Sequence, residues 1–288
     1  MADHFAFIVS GGRTGTQFLG DLLSEAIEDS YSEHEPDIIH GFDRGSLERL
    51  RRFGLWHMVV GRALGQSGVR VLGTRHLVGK DDLTATMRKL RAQRKAYHAG
   101  IEQSLVIESY YAWWMVASHL PAIFSEAKAV GIVRDPRHWI ASWLKRTAKR
   151  ADGHWTQLLP PGPLTPARLG DTRWADEWES MSPVGKLAWQ WQLINGTILR
   201  ATDDGVLDLF RFEDVFNPDT GEFDRLVDTI STFPDRQYST RDISEKLSQK
   251  RNASSAQGDD WESWTGADKQ LVNDICGPVM DACDYRPL

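Results

Sequence analysis

The segment Ser10-Gly11-Gly12-Arg13-Thr14-Gly15-Thr16-Gln17 has the composition of an anion cradle. Glycine reaches backbone torsions closed to other residues, so successive N–H groups in such a loop can turn toward one ligand. A helix starting straight after the loop adds unpaired N–H groups and the positive end of its dipole. Arg13 contributes a guanidinium to the same place. The loop of nucleoside triphosphatases, G-x-x-x-x-G-K-[ST], needs a lysine for the terminal phosphates and a hydroxyl for magnesium. No lysine follows Gly15 here, and an arginine precedes it. The cradle therefore suits an anion without plainly suiting magnesium and ATP.

A second segment, AVGIVRDPRHWIASWLKR, carries a related chemistry. Its apolar start reads as a strand that ends at Arg134, and Pro136 opens a helix on which Ser142 stands. A guanidinium at a strand end and a hydroxyl on the next helix can converge on one phosphate through charge-assisted hydrogen bonds. A helix capped by Asp135 with a solvated arginine would account for this segment taken alone.

Together the two segments resemble the sulfotransferase family that uses 3′-phosphoadenosine-5′-phosphosulfate (PAPS). That family's first signature is a basic residue followed by Ser/Thr-Gly-Thr; its second is a strand ending in Arg-Asp-Pro-Arg with a serine eight residues after the first arginine. The later stretch LDLFRFEDVFNPDTGEFDRLVDTI is similar to the family's apolar strand running into Arg-x-Glu-Asp, and KRNASSAQGDDWESWT is similar to its C-terminal nucleotide loop. Asn252 stands where many members have glycine, and the gap to Gly258 is longer. The resemblance implies that Arg13 and the backbone of Gly12, Thr14, Gly15, Thr16 and Gln17 hold the 5′-phosphosulfate. It implies that Arg134 and Ser142 hold the 3′-phosphate, with Lys250 and Arg251 beside them. PAPS is then a co-substrate, no metal is required, and the partner is a hydroxyl-bearing acceptor.

An acceptor hydroxyl needs a base within hydrogen-bond reach of its proton. In SEHEPDIIH, where carbohydrate-modifying members carry a Glu next to Pro, Glu35 is the first choice and His34 stands beside it. The stretch VLGTRHL is similar to the strand-end Thr-His-Leu of small-molecule sulfotransferases with Arg75 interposed, which makes His76 the rival. The Glu-Pro pair favours a carbohydrate acceptor. His34, Glu35, Asp37 and His40 form no closed metal-ligand set.

The elements that must position these groups follow from the apolar pattern. FAFIV, VRVLG, SLVIES, AKAVGIV and VLDLF are short continuous apolar runs, as expected of strands covered on both faces. LGDLLSEAI, SLERLRRFGLWHMVVGRAL, HWIASWLKR, VGKLAWQWQLINGTILR and DKQLVNDICGPVMDAC read as helices. The alternation predicts an α/β fold, a three-layer αβα arrangement around a central parallel sheet of about five strands, P-loop-like, in a single domain spanning 1–288. Ligands of such sheets sit at the carboxyl ends of the strands, where SGGRTGTQ, TRH and RDPRH fall. The stretch 151–182, rich in Pro and Trp, reads as an insertion or lid, with Trp155, Trp174 and Trp178 as an acceptor wall and Trp113, Trp114, Trp189 and Trp191 as core. MRKLRAQRKAYH reads as a solvated basic helix face.

The totals set limits. A net charge of −6 argues against nucleic-acid binding, which draws on a broad excess of Lys and Arg. No apolar run reaches the length of a membrane span, and no signal region precedes the first strand. Cys276 and Cys283, two helical turns apart, read as buried thiols of a reducing compartment, so cytoplasmic residence is expected. The competing readings are a nucleotide kinase or nucleoside triphosphatase of the same architecture, and a noncatalytic member that binds nucleotide without transfer.

Overall fold

A computed structural model describes residues 3–38, 44–148, 161–243, 245–247 and 260–287. The strands are β1 (His4–Ser10), β2 (Ser30–His34), β3 (Leu105–Ser109), β4 (Lys128–Val133) and β5 (Asp208–Arg211). They form one parallel sheet in the order β2-β3-β1-β4-β5. β1 is central, with Phe7 in register with Glu108 of β3 on one side and Ala129 of β4 on the other. Alternate residues of β1 feed different layers. Ala6 and Ile8 join Leu19, Leu22 and Leu23 of helix α1 (Thr16–Ala26), whereas Phe7 and Val9 join a core rich in tryptophan. Both faces are covered, so the strand reads as an unbroken apolar run.

The remaining long helices are α2 (Arg44–Leu55), α3 (Val69–Leu77), α4 (Leu83–His98), α5 (Pro136–Ala148), α6 (Pro183–Asp203), α7 (Glu222–Ser231) and α8 (Gly266–Ala282). A one-turn π-helix, Trp56–Val60, continues α2, and a 3-10 segment, Tyr111–Ala122, follows β3. After β1 the chain crosses toward the β2 edge, and after β4 toward the β5 edge. The crevice between those divergent connections opens at the carboxyl ends of β1 and β4, the usual ligand position in an open parallel sheet.

Two elements differ from the sequence reading. VRVLG is not a strand but the start of α3, because Asp37 Oδ2 accepts the Val69 N–H at 3.0 Å and caps a helix there. A short run of branched apolar residues fits either a buried strand or a buried helix face, so its period cannot decide between them. The strand that fills the sheet instead is β2, SYSEH, which carries almost no apolar signal. It is an edge strand whose side chains make polar contacts: Tyr31 hydroxyl to Glu33 at 2.6 Å, and Arg49 Nε to Glu33 at 2.8 Å.

The basic helix α4 is solvated on one face only. Arg94, Tyr97 and His98 are fully buried, which leaves Arg88, Arg91 and Lys95 to face water. Both cysteines are free and buried, and burial pushes the Cys283 thiol up to about 12. Among the described residues, no helix is long and apolar enough to cross a membrane. The segment 151–160, with Trp155, lies outside them. The two short helices of the following stretch, Pro166–Leu169 and Thr172–Ala175, lie beside α6: Trp178 meets Trp189 edge-on at 5.2 Å, and Trp189 donates to Asp171 at 2.8 Å.

α1 lies so close to β2 that a Cβ on Gly20 would stand 2.7 Å from His34 Cβ and 2.8 Å from the His34 backbone nitrogen. Alanine improves helix propensity by up to about 1 kcal/mol, but a backbone atom cannot yield cheaply. Gly20→Ala should therefore lower stability by about 1–3 kcal/mol, seen as a lower urea midpoint at unchanged slope.

Candidate functional site

The glycine loop is shaped by where its carbonyls go. Trp139 Nε1 donates to Gly12 O at 2.9 Å, Arg134 Nη1 to Arg13 O at 2.7 Å, and Ser109 Oγ to Thr16 O at 2.8 Å. The Gly15 carbonyl accepts from Leu19 N at 2.9 Å in the first turn of α1. Gly12, Arg13 and Gly15 have φ of 71°, 56° and 73°, torsions that turn the peptide units between them. The Gly12 N–H donates to Ser10 Oγ at 3.3 Å, and with four carbonyls tied to the protein the torsions of the loop suit an anion nest. No side chain caps the α1 N-terminus, and the buried Thr14 hydroxyl has no hydrogen-bond partner among the described residues. Both are groups that an anion would satisfy.

Arg134 and Ser142 converge on this loop. Besides the Arg134 contact, Arg13 Nε donates to Ser142 Oγ at 2.9 Å, so the two signatures meet at Arg13. Burial, and then the like charge of Arg146, lower the pKa of Arg13. Arg146 lies four residues after Ser142, on the same face of α5. The four-residue spacing from Ser142 is the sequence signal that marks Arg146.

A second set of residues, also missed as site-builders, holds the β4 end in place. Trp191 Nε1 donates to Arg134 O at 2.8 Å, so this core tryptophan also fixes a strand end. Glu213 accepts the Asp135 N–H at 3.0 Å and the Tyr285 hydroxyl at 2.7 Å. The Arg134 guanidinium lies 4.4 Å over the Phe212 ring. A Cβ on Gly15 would come within 2.4 Å of Phe216 Cζ. RFEDVF thus braces both the glycine loop and the β4 end. Asp135 accepts from Arg137 N at 2.8 Å, which caps α5 as the sequence indicated.

Glu35 sits just past the end of β2, with a left-handed φ of 48°. Its N–H donates to Ser109 O at 3.2 Å, and the same carbonyl accepts from His34 Nδ1 at 3.0 Å. A carbonyl only accepts, so Nδ1 carries the proton; His34 Nε2 then faces Glu35 Oε2 at 3.7 Å. Burial, then the negative charge of Asp37, push the Glu35 carboxyl up to about 7 against the pull of Arg146, Arg49 and Arg70. Two groups link Glu35 to the glycine loop. Arg146 lies near enough to shift both Arg13 and Glu35, and Tyr111 packs 3.7 Å from the Cβ position of Gly12 while its hydroxyl senses Glu35.

His76 is placed elsewhere. It stands near the C-terminal end of α3 rather than at a strand end, with its ring edge-on to His119 at 6.4 Å. Asp37 is committed to Arg94, and His40 lies outside the described residues, as do Lys250 and Arg251. Among the described residues, no three His, Cys, Asp or Glu side chains form a metal-like group.

No family model and no curated protein matches this sequence. Among solved structures, a sulfotransferase from Mycobacterium avium is similar with a TM-score of 0.52 at 13% identity, over 99% of this chain and 78% of that one. The sulfotransferase domain of the curacin biosynthetic pathway gives a TM-score of 0.48 at 15% identity, covering 99% of each chain. The sulfotransferase domain of the Synechococcus PCC 7002 olefin synthase gives 0.46 at 14% identity, covering 99% of this chain and 96% of that one. The likeness to the Mycobacterium avium enzyme is one of fold: this chain has the sulfotransferase fold.

Glu213→Ala removes the acceptor of a strand-end amide and of a largely buried tyrosine hydroxyl. Stranding those donors should cost about 1–3 kcal/mol, read as a lower urea midpoint. Glu213→Gln, which keeps one acceptor oxygen and puts an NH2 in place of the other, should fall between Glu213→Ala and the native chain.

Proposed function

We propose that this chain is a sulfotransferase that moves the sulfuryl group of PAPS to an acceptor hydroxyl, with Glu35 as general base. The observation that carries the reading is the convergence of Arg13, Arg134 and Ser142 on one loop whose carbonyls are turned inward. Arg13 and the amides of Gly12 through Gln17 would hold the 5′-phosphosulfate, and Arg134 with Ser142 the 3′-phosphate. The buried hydroxyl of Thr14 fits the same role. Lys250 and Arg251 are assigned to the 3′-phosphate by resemblance alone.

The donor supplies an activated sulfuryl group whose departure leaves negative charge on the bridging oxygen. In this reading Arg13 and the loop amides would face the place where that charge develops, and fixed donors there need no reorganisation during the reaction. Arg146 adds a second positive charge beside Arg13. Such transfers rest on positioning and charge stabilisation more than on covalent chemistry. Glu35 takes the acceptor proton. A carboxyl held near 7 is a stronger base than an ordinary glutamate and is still ionised in a useful fraction at neutral pH. His34, with its Nδ1 proton held by Ser109 O, turns Nε2 toward Glu35 at 3.7 Å. A carbohydrate is the favoured acceptor, on the strength of the Glu35-Pro36 pair.

Arg134→Ala should weaken binding of adenosine 3′,5′-diphosphate by about 10- to 100-fold in calorimetric titration, the loss of a charged hydrogen bond. Unchanged affinity would remove Arg134 from the 3′-phosphate site, whereas a magnesium-dependent ATP affinity of the native chain exceeding that for the diphosphate would replace the sulfotransferase reading with that of a kinase or triphosphatase.

Glu35→Gln should lower turnover by about 10²- to 10⁴-fold with nucleotide affinity retained, measured with labelled donor against a panel of hydroxyl acceptors. The sign of the pH effect follows from the raised pKa. Glu35 keeps its proton up to about 7, so the native rate should be level above that pH and fall about tenfold per unit below it. Full activity in the variant would move the base to His76 or His34.

A further inference from the structure

The segment from His34 to Ile38 is held at almost every backbone group. Arg49 donates to His34 O at 3.5 Å and to Ile38 O at 3.3 Å, and Ile38 N donates to Glu35 O at 3.0 Å. Arg62 donates to Asp37 O, and Glu35 N is tied to Ser109 O. This accounts for a non-glycine residue in the left-handed region at Glu35, a torsion that persists only where the surroundings enforce it. Pro36 and Asp37 of the turn are both buried, and Asp37, its one buried charged side chain, has no exposed surface.

Asp37 Oδ2 accepts from Val69 N at 3.0 Å and meets Arg94 Nη2 at 3.3 Å and His57 Nε2 at 3.8 Å. Arg94 is equally buried. Its Nε lies 3.1 Å from Glu108, which is bonded in turn to His98 at 2.8 Å, and its guanidinium stacks on Trp113 and Phe53. The turn bearing Glu35 is thereby tied to α3, α4 and β3 through one carboxylate. Burial alone would raise the Asp37 pKa, but Arg94, His57 and Arg62 hold it well below the usual carboxylate range. Asp37 is therefore a fixed negative charge across the whole working pH range.

We propose that Asp37 is a positioning residue for Glu35, pinned by Arg94 and the α3 N-terminus so that it fixes both the turn and the negative charge beside the Glu35 carboxyl. The inference rests on the reading of Glu35 as the base, and extends it by naming what controls its proton. Groups facing Glu35 come from every side: His34 and Asp37 on its own segment, Arg49 on α2, Arg70 on α3, Arg146 on α5, and Tyr110 and Tyr111 after β3. Among them Asp37 is the one carboxylate, and after burial it is what opposes the three arginines.

The test reads Glu35 directly, without turnover. In protein labelled with ¹³C at the glutamate side-chain carboxyls, the Glu35 resonance is assigned by its loss in Glu35→Gln. Its titration midpoint in the native chain is expected near 7. In Asp37→Asn, which keeps the size of the side chain and removes its charge, the midpoint should fall by about 1 pH unit. Adenosine 3′,5′-diphosphate affinity should stay within about twofold, since Asp37 lies outside the loop that would hold it. A fall of less than about half a unit in a variant that still binds the diphosphate overturns the proposal. Where Asp37→Asn fails to fold, Asp37→Asn with Arg94→Gln removes the charge and its partner together, and the same half-unit threshold applies to it. Failure of the base assignment looks different: Glu35→Gln would keep its turnover while the Glu35 midpoint still responded to Asp37.

Discussion

The structure turns on the direction of a few carbonyl groups. A loop that binds an anion must present its amides and hide its carbonyls, because the two dipoles of each peptide act in opposite senses on a negative ligand. Here the hiding is done from four elements: Trp139 of α5, Arg134 at the end of β4, Ser109 at the end of β3, and the first turn of α1. The bonds to Gly12 O and Thr16 O satisfy groups that would otherwise be buried and unpaired, so bonds that stabilise the fold also polarise the loop. The sheet order makes this possible, since β3 and β4 flank β1 and bring their carboxyl ends to either side of it.

That arrangement explains why residues far along the chain bear on the loop without touching an anion themselves. Glu213 holds the Asp135 amide, Phe212 lies under the Arg134 guanidinium, and Phe216 fills the space above Gly15. Tyr285, near the end of the chain, completes the set through Glu213. A strand end is a place where backbone pairing stops, so its last amides need other partners, and a side chain on the neighbouring strand's continuation is the nearest source. The motif after β5 is such a brace, which gives its acidic residue a structural reason independent of any ligand.

What the sequence made legible was what lies close together along the chain. The glycine loop, its helix, the strand ending at Arg134 and the helix bearing Ser142 all announce themselves by short-range spacing. β2 did not, because an edge strand needs no apolar alternation when Arg49 and Tyr97 supply polar partners to Glu33. α3 was misread for the opposite reason: its apolar run is real, but the helix cap that decides the matter is Asp37, more than thirty residues earlier. Arg94 looked like one more solvated cation on a basic helix. Nothing local distinguishes it from Arg91, and only the fold brings Asp37 and Glu108 to either side of it.

The burial of those charges raises an energetic question. Moving an ion pair out of water costs several kcal/mol per ion, and well-packed apolar replacements are often neutral or better for stability. The group of Asp37, Arg94, Glu108 and His98 is therefore a poor way to stabilise a fold. It is a good way to hold a strained turn, since hydrogen-bonded charges in a low dielectric tolerate only one geometry, whereas apolar side chains slide. Glu35 gains from this in two respects that an apolar anchor could not supply together. Its left-handed backbone is enforced, and a negative charge that does not titrate near neutrality stays beside its carboxyl. Three arginines draw that carboxyl toward ionisation, and the loss of water around it, with the buried aspartate second, draws the other way. A carboxyl poised near neutrality is the resultant of these opposed influences, and so belongs to the whole corner of the sheet rather than to Glu35 alone.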